Sequence, residues 1–318
     1  MAVRDFEDGS MVAAALLVRE AELRRKRDGA EFLKLVLADR TGTLPAVVWD
    51  DAAACAPLCQ VGEPVHVSGR YAVHQRYGPQ LVVGALRACA PGEVPLEELL
   101  DGPPRSAEQM ATDLRALVET VREPSLRALL DLLLGEGTRT WEAYRRAPAA
   151  KYYHQAYRHG LLEHCLSVAQ SVSTIAATFP GIDRDVAVTG ALLHDIGKLE
   201  AYAAAGMAIE MTDAGKLQGE IALGYYRVHR TIDGIDGFPP DLAQAVLHII
   251  LSHHGALEHG SPVVPCTREA TLVHMIDNLG GKLGSFDRLE KELADGQQWS
   301  QFDRALGAGA FFAARQAA

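Results

Sequence analysis

The spacing of apolar side chains in this 318-residue chain changes near residue 90, and that change constrains the architecture more than any other feature. From about residue 10 to 90 the apolar residues come in short runs, several alternating with polar ones, as in half-buried strands. The stretch from Ala90 to Ser106, APGEVPLEELLDGPPRS, is dense in proline, glycine and acid and reads as a linker over 91–106. Beyond it the period becomes helical. Leu114, Leu117, Val118 and Val121 form one stripe, and Leu126, Leu129, Leu130, Leu133 and Leu134 a second. Helix is expected through 107–295 with short breaks. The Ala/Gly-rich tail, 296–318, is expected to be frayed or loosely docked.

Five strand segments precede residue 90, with a short helical piece, DAAACAPLC, after the third. This order predicts a small closed five-stranded barrel of the oligonucleotide-binding (OB) type over residues 1–90, followed by an all-α domain. On the barrel, Phe32, Trp49, Tyr71 and Tyr77 are candidate stacking faces for bases. Lys34, Arg70 and Arg76, with the run Arg24–Arg27, could follow phosphates. The plainer alternative is that the aromatics are core and the basic run is a solvated turn.

Charge bears on that reading. The net charge is −10, yet residues 1–90 hold eleven basic and eleven acidic side chains, so the acidic excess lies in the helical part. A neutral barrel can carry a basic groove, and cations would offset acid elsewhere. Five scattered cysteines fit reduced thiols better than a disulfide framework. No apolar run approaches the roughly 18–20 residues of a membrane span, and no secretory signal is evident. A cytoplasmic protein without a membrane partner is expected.

Eight of the twelve histidines fall between His154 and His254. His164, the adjacent pair His194-Asp195, the pair His253-His254 and Asp277 all sit in apolar helical surroundings. An unpaired buried charge is very costly, and one divalent cation satisfies several imidazoles and carboxylates at once. Lys198 and Lys282, the latter about a turn beyond Asp277, are candidates for placing positive charge near reacting oxygens. Neither a phosphate-cradling glycine loop nor a dinucleotide fingerprint is present.

The blocks HQAYRHGLLEHCLSVA, LLHDIGK, ILSHHGALEHGSPVVPCTREA and VHMIDNLGGK, in that order behind a barrel, resemble the YhaM-type 3′-to-5′ exoribonucleases of the HD superfamily of metal-dependent phosphohydrolases. The resemblance implies that His164, His194, Asp195 and Asp277 hold a first metal. It also implies that Asp195 bridges to a second ion held by His253 and His254. Glu220 stands where that pattern leads us to expect histidine, and Gly280 where we expect aspartate. His154 and His159 would orient ligands or touch substrate. One or two divalent ions are implied, manganese first, with magnesium, cobalt or iron(II) as alternatives.

The expected activity is therefore 3′-to-5′ hydrolysis of single-stranded RNA, and of DNA if the sugar is not read, to nucleoside 5′-monophosphates. A homo-oligomer is compatible with the sequence. The competing readings are an HD phosphohydrolase acting on a small or cyclic nucleotide, and a non-catalytic single-strand-binding protein.

Overall fold

The computed structural model describes residues 2–26, 29–74, 78–90, 92–94, 99, 102–150, 155, 157–205, 208–293 and 296–313. Arg76, Tyr77 and His154 lie outside them. The chain divides into two compact units, the first spanning Met1–Gly102 and taking in Ala205–Ala208, the second spanning the rest.

The first unit is a barrel of β1 (Met11–Arg25), β2 (Glu31–Asp39), β3 (Gly42–Val48), β4 (Pro64–His74) and β5 (Gly78–Ala88). The strands close in the order β1-β2-β3-β5-β4, the topology expected of an OB barrel. All neighbours are antiparallel except β3 and β5. Alternate side chains fill the interior: Leu33, Leu35 and Leu37 from β2, Leu44, Ala46 and Val48 from β3, Val65 and Val67 from β4. The one-turn helix α1 (Ala52–Cys55) follows β3, and Ala52 and Cys59 add to the same core.

The β4–β5 pairing carries a bulge in β5, where Gly84 is the extra residue. The register against β5 shifts between Ser68 and Gly69. There the backbones approach so closely that a Cβ on Gly69 would lie 2.1 Å from the Val82 carbonyl oxygen. Only glycine fits such an approach.

The expected linker is shorter than its composition suggests. Glu93 accepts from both terminal nitrogens of Arg87 (2.6 and 3.0 Å), and Leu99 is 2% exposed, so these residues belong to the barrel unit. Local ion pairing and apolar burial outweigh the Pro/Gly-rich composition.

In the second unit, α2 (Ala107–Glu119), α3 (Pro124–Leu134) and α4 (Arg139–Tyr144) lead into α5 (Gly160–Ala176) and α6 (Arg184–Leu193). The short α7 (Lys198–Ala201) follows, then α8 (Asp213–Gln218), α9 (Glu220–Asp233), α10 (Pro240–Ser252) and α11 (Arg268–Glu292). The helices bury a single apolar cluster through the predicted leucine stripes of α2 and α3. Among the described residues no helix is long and apolar enough to cross a membrane.

Two expectations here need correction. The run AYAAAGMAIEM is Ala-rich and reads as helix, yet β6 (Tyr202–Ala205) and β7 (Ala208–Met211) pair as a two-stranded sheet. Alanine's helix propensity is a weak prior that pairing overrides. The tail is also better docked than composition implies. Asp303 accepts from Arg288 at 2.5 Å and from the amides of Ala305 and Leu306, and Ala310 is buried.

Gly69→Ala is expected to destabilise the barrel by about 1–3 kcal/mol through overpacking against fixed backbone. Gly84→Ala, whose Cβ would sit 3.7 Å from Ser68 oxygen, should be neutral or better. Urea unfolding of the two variants compares them.

Candidate metal centre

Five helices of the second unit bring their polar residues to one point. α5 supplies His164 from its second turn. α6 ends at His194, with Asp195 next and Lys198 opening α7. α10 ends at His253, followed by His254, and α11 contributes Asp277. His164, His194, Asp195 and His253 are each at most 4% exposed.

A repeated local device orients the imidazoles. Nδ1 of His194 donates to the Ala191 carbonyl (2.7 Å), and Nδ1 of His253 to Ile250 (2.8 Å). Each bond satisfies a last-turn carbonyl that the helix itself leaves open. Each also fixes the tautomer, so that Nε2 presents a lone pair to the interior. His254 does the same through His259 (2.9 Å).

Further contacts hold this framework. The Tyr144 hydroxyl donates to the Leu192 carbonyl (2.8 Å), just before the His-Asp pair. Gly197 has no room for a side chain: a Cβ there would lie 1.9 Å from Glu220 oxygen and 2.4 Å from Gly224 nitrogen. That contact seats the first turn of α9, and with it Glu220, beside the His-Asp turn.

The cluster's atoms are mostly acceptors facing acceptors. His164 Nε2 lies 3.1 Å from His194 Nε2, 3.1 Å from Asp277 Oδ1 and 3.3 Å from Asp195 Oδ2. His194 Nε2 lies 3.4 Å from Asp195 Oδ2. Lys198 Nζ, at 2.6 Å, pairs with the same oxygen. On the other side, Asp195 Oδ1 faces His253 Nε2 at 3.6 Å, too far for a hydrogen bond, and both atoms are buried without a partner. Glu220 Oε1 lies 3.7 Å from His254 Nε2.

Such an arrangement needs either extra protons or a cation at its centre. The three ligand atoms of His164, His194 and Asp277 lie within 4.8 Å of one another. Ligands about 2.1 Å from a common ion are separated by about 3.0–3.4 Å, which matches the closest spacings here. Imidazole nitrogen with carboxylate oxygen is the donor set of a divalent transition metal, and the residues fit one.

Without an ion, protons hold the cluster together. Burial pushes the His164 imidazole toward neutrality, but hydrogen bonding to Asp195 and Asp277 outweighs it and holds its pKa at about 9. Burial also opposes charge on Asp195, yet Lys198 and His194 keep its carboxyl well below the usual range. Burial and the His253 charge push His254 down. Cys165 also lies beside His194 and Asp195; burial and the Asp195 charge push its thiol up, so it packs as a neutral group.

Not every candidate converges here. Lys282 is exposed, because five residues past Asp277 turn the helix about 140° away. His159, with φ +70°, caps α5 and its Nδ1 contacts the Arg145 carbonyl, so it shapes the helix start. A Cβ on Gly280 would meet nothing within 4 Å, which leaves open space on α11 where aspartate was expected. His274 on α11 also supports the cluster: its Nδ1 donates to the His253 carbonyl at 2.8 Å. An aromatic on an apolar helix face gives no sequence signal for that.

On the barrel, Phe32 and Trp49 lie 5.1 Å apart on the outer face, and Lys26 Nζ sits 4.3 Å over the Trp49 ring. Trp49 is 41% exposed, and Lys34 projects from the same face of β2 as Phe32. Tyr71 instead packs edge-on against Phe6 at 5.8 Å and joins the barrel core. Arg70 is exposed on β4, which is separated from β2 by β1.

Known proteins resemble this chain over most of its length. The HD domain family matches residues 161–281. A Listeria monocytogenes protein named 3′-5′ exoribonuclease YhaM is 30% identical over 92% of this chain and 92% of its own length. Its Halalkalibacterium halodurans namesake is 28% identical over 92% of this chain and 90% of that one. A small single-stranded DNA-binding protein from Streptomyces coelicolor aligns with 28% of this chain at 17% identity and a TM-score of 0.24, covering 100% of that chain.

Cation binding to the metal-free protein at pH 7.5 should release about one proton, because His164 must lose the one it holds below its pKa of about 9. The release should disappear once the pH exceeds that value. Calorimetry in buffers of different ionisation enthalpy counts the protons.

Proposed function

Because this chain belongs to the family of the 3′-5′ exoribonuclease YhaM proteins, we propose that it shortens single-stranded RNA from the 3′ end to nucleoside 5′-monophosphates. The observation that carries the reading is the convergence of His164, His194, Asp195 and Asp277 on one buried point. The reaction breaks the bond between phosphorus and the 3′ oxygen of the preceding nucleotide, with water supplying the new oxygen.

These four side chains would hold the first ion. Asp195 Oδ1, His253, His254 and Glu220 would hold a second. Manganese is favoured, since a glutamate in place of a histidine makes the second donor set harder, and magnesium, cobalt or iron(II) remain compatible donors' partners. A divalent ion in such a site brings the pKa of water toward neutrality and neutralises phosphoryl charge.

The chain's own groups do the rest. Asp195 keeps Lys198 protonated, above its usual range despite burial, so an ammonium stands beside the cluster for an anionic phosphate. His254, pushed toward the neutral form by burial and by the His253 charge, keeps its Nε2 lone pair available to an ion. The helical walls exclude bulk water, which strengthens each of these interactions. On the barrel, Phe32 and Trp49 would stack bases while Lys26 and Lys34 meet phosphates. Sequence independence follows, because every base has a stacking face.

With 5′-labelled single-stranded RNA and manganese, the protein should produce a ladder shortening from the 3′ end. Asp195→Ala should slow it by at least about a hundredfold. Trp49→Ala should weaken strand binding by about 1–3 kcal/mol and leave single-turnover cleavage at saturation near normal. Intact RNA with the unaltered protein, alongside turnover of a mononucleotide, would replace this reading with a small-nucleotide phosphohydrolase.

A further inference from the structure

The outer face of α11, turned away from Asp277, is apolar and open to solvent. Met275 is 58% exposed, Leu279 50%, Leu283 55% and Phe286 37%. At 100° per residue all four fall within about 40° of a line through Leu279. Isolated exposed apolar residues need no explanation, but a contiguous stripe of them marks an interaction surface.

The stripe is symmetric about Leu279. Met275 and Leu283 stand four residues to either side, Leu272 and Phe286 seven, and Arg268 and Glu290 eleven. Apolar residues thus match apolar residues, and at the ends a basic residue matches an acidic one. A helix face with this arrangement is complementary to itself when run antiparallel. The seven positions, spaced by three or four residues, span about 33 Å of helix.

The surroundings repeat the pattern. Leu272 and Met275 line an apolar groove with Phe179, Pro180 and Pro265. Fourteen residues along from Leu272, Phe286 projects from the same face, its ring met edge-on by Phe312 at 6.1 Å. In an antiparallel pair, the Phe286 ring of one copy falls opposite the groove beside Leu272 of the other.

We propose that α11 pairs antiparallel with α11 of a second copy of this chain, about a two-fold axis through Leu279. An isologous contact of this kind closes at two subunits. Covering the stripe and its groove removes on the order of 500–600 Å² of apolar surface per copy, compared with about 800 Å² of total surface per partner in a standard interface. The Arg268–Glu290 pairs at the ends set direction more than affinity.

Sedimentation of the full chain at tens of micromolar is expected to give twice the 34.3 kDa chain mass. Leu279→Lys, at an exposed site and checked for folding by circular dichroism, should raise the dissociation constant at least tenfold. Geometry is read by oxidative crosslinking in a Cys266→Ser background. Leu279→Cys should crosslink to itself across the axis. Met275→Cys alone should not, whereas Met275→Cys with Leu283→Cys should. A monomer at these concentrations, a dimer indifferent to Leu279→Lys, or ready crosslinking of Met275→Cys alone would each overturn the proposal.

Discussion

The second unit is organised around one electrostatic demand. A carboxylate, Asp195, is buried at 2% exposure among helix ends, with one oxygen facing His164, His194 and Lys198 and the other facing His253. Leaving such a charge uncompensated costs several kcal/mol. Lys198 and protonated imidazoles meet part of the demand, but they leave Asp195 Oδ1 and His253 Nε2 without hydrogen bonds. A cation is the economical solution, because it gives each lone pair a partner at once.

That demand explains features that otherwise look incidental. Two helices end in a histidine whose Nδ1 caps its own last turn, so helix termination and ligand orientation are one event. His274 and Tyr144 fix carbonyls next to those histidines. Gly197 lets α9 approach within backbone contact and sets Glu220 next to His254. The imidazole and carboxylate atoms are thus fixed by backbone and packing alone, the preorganisation that a charge-stabilising site requires.

Much of this was legible in the sequence. The change from strand to helix periodicity separated the two units, and the barrel's strand order followed from five runs and one helical turn. That His164, His194-Asp195, His253-His254 and Asp277 need partners was visible from their apolar helical surroundings, and the family resemblance singled out His164, His194, Asp195 and Asp277 among them. Rotation around a helix was less visible. Lys282 lies near Asp277 in sequence and on another side of the helix, while Lys198, three residues past Asp195, reaches its carboxylate. Tyr71 could not be told from a stacking aromatic until Phe6 was seen against it. The β6–β7 pairing and the docked tail depend on tertiary contacts that composition does not encode.

If the buried cluster takes up a cation, a thermal melt will register it. After chelation and dialysis, manganese should raise the unfolding midpoint of the protein, with about 2.7 kcal/mol of stabilisation at a hundred times the dissociation constant. Asp195→Ala should abolish that response. An unchanged midpoint at millimolar manganese, magnesium, cobalt and iron(II) would contradict the account and leave the cluster a proton-bridged structural network.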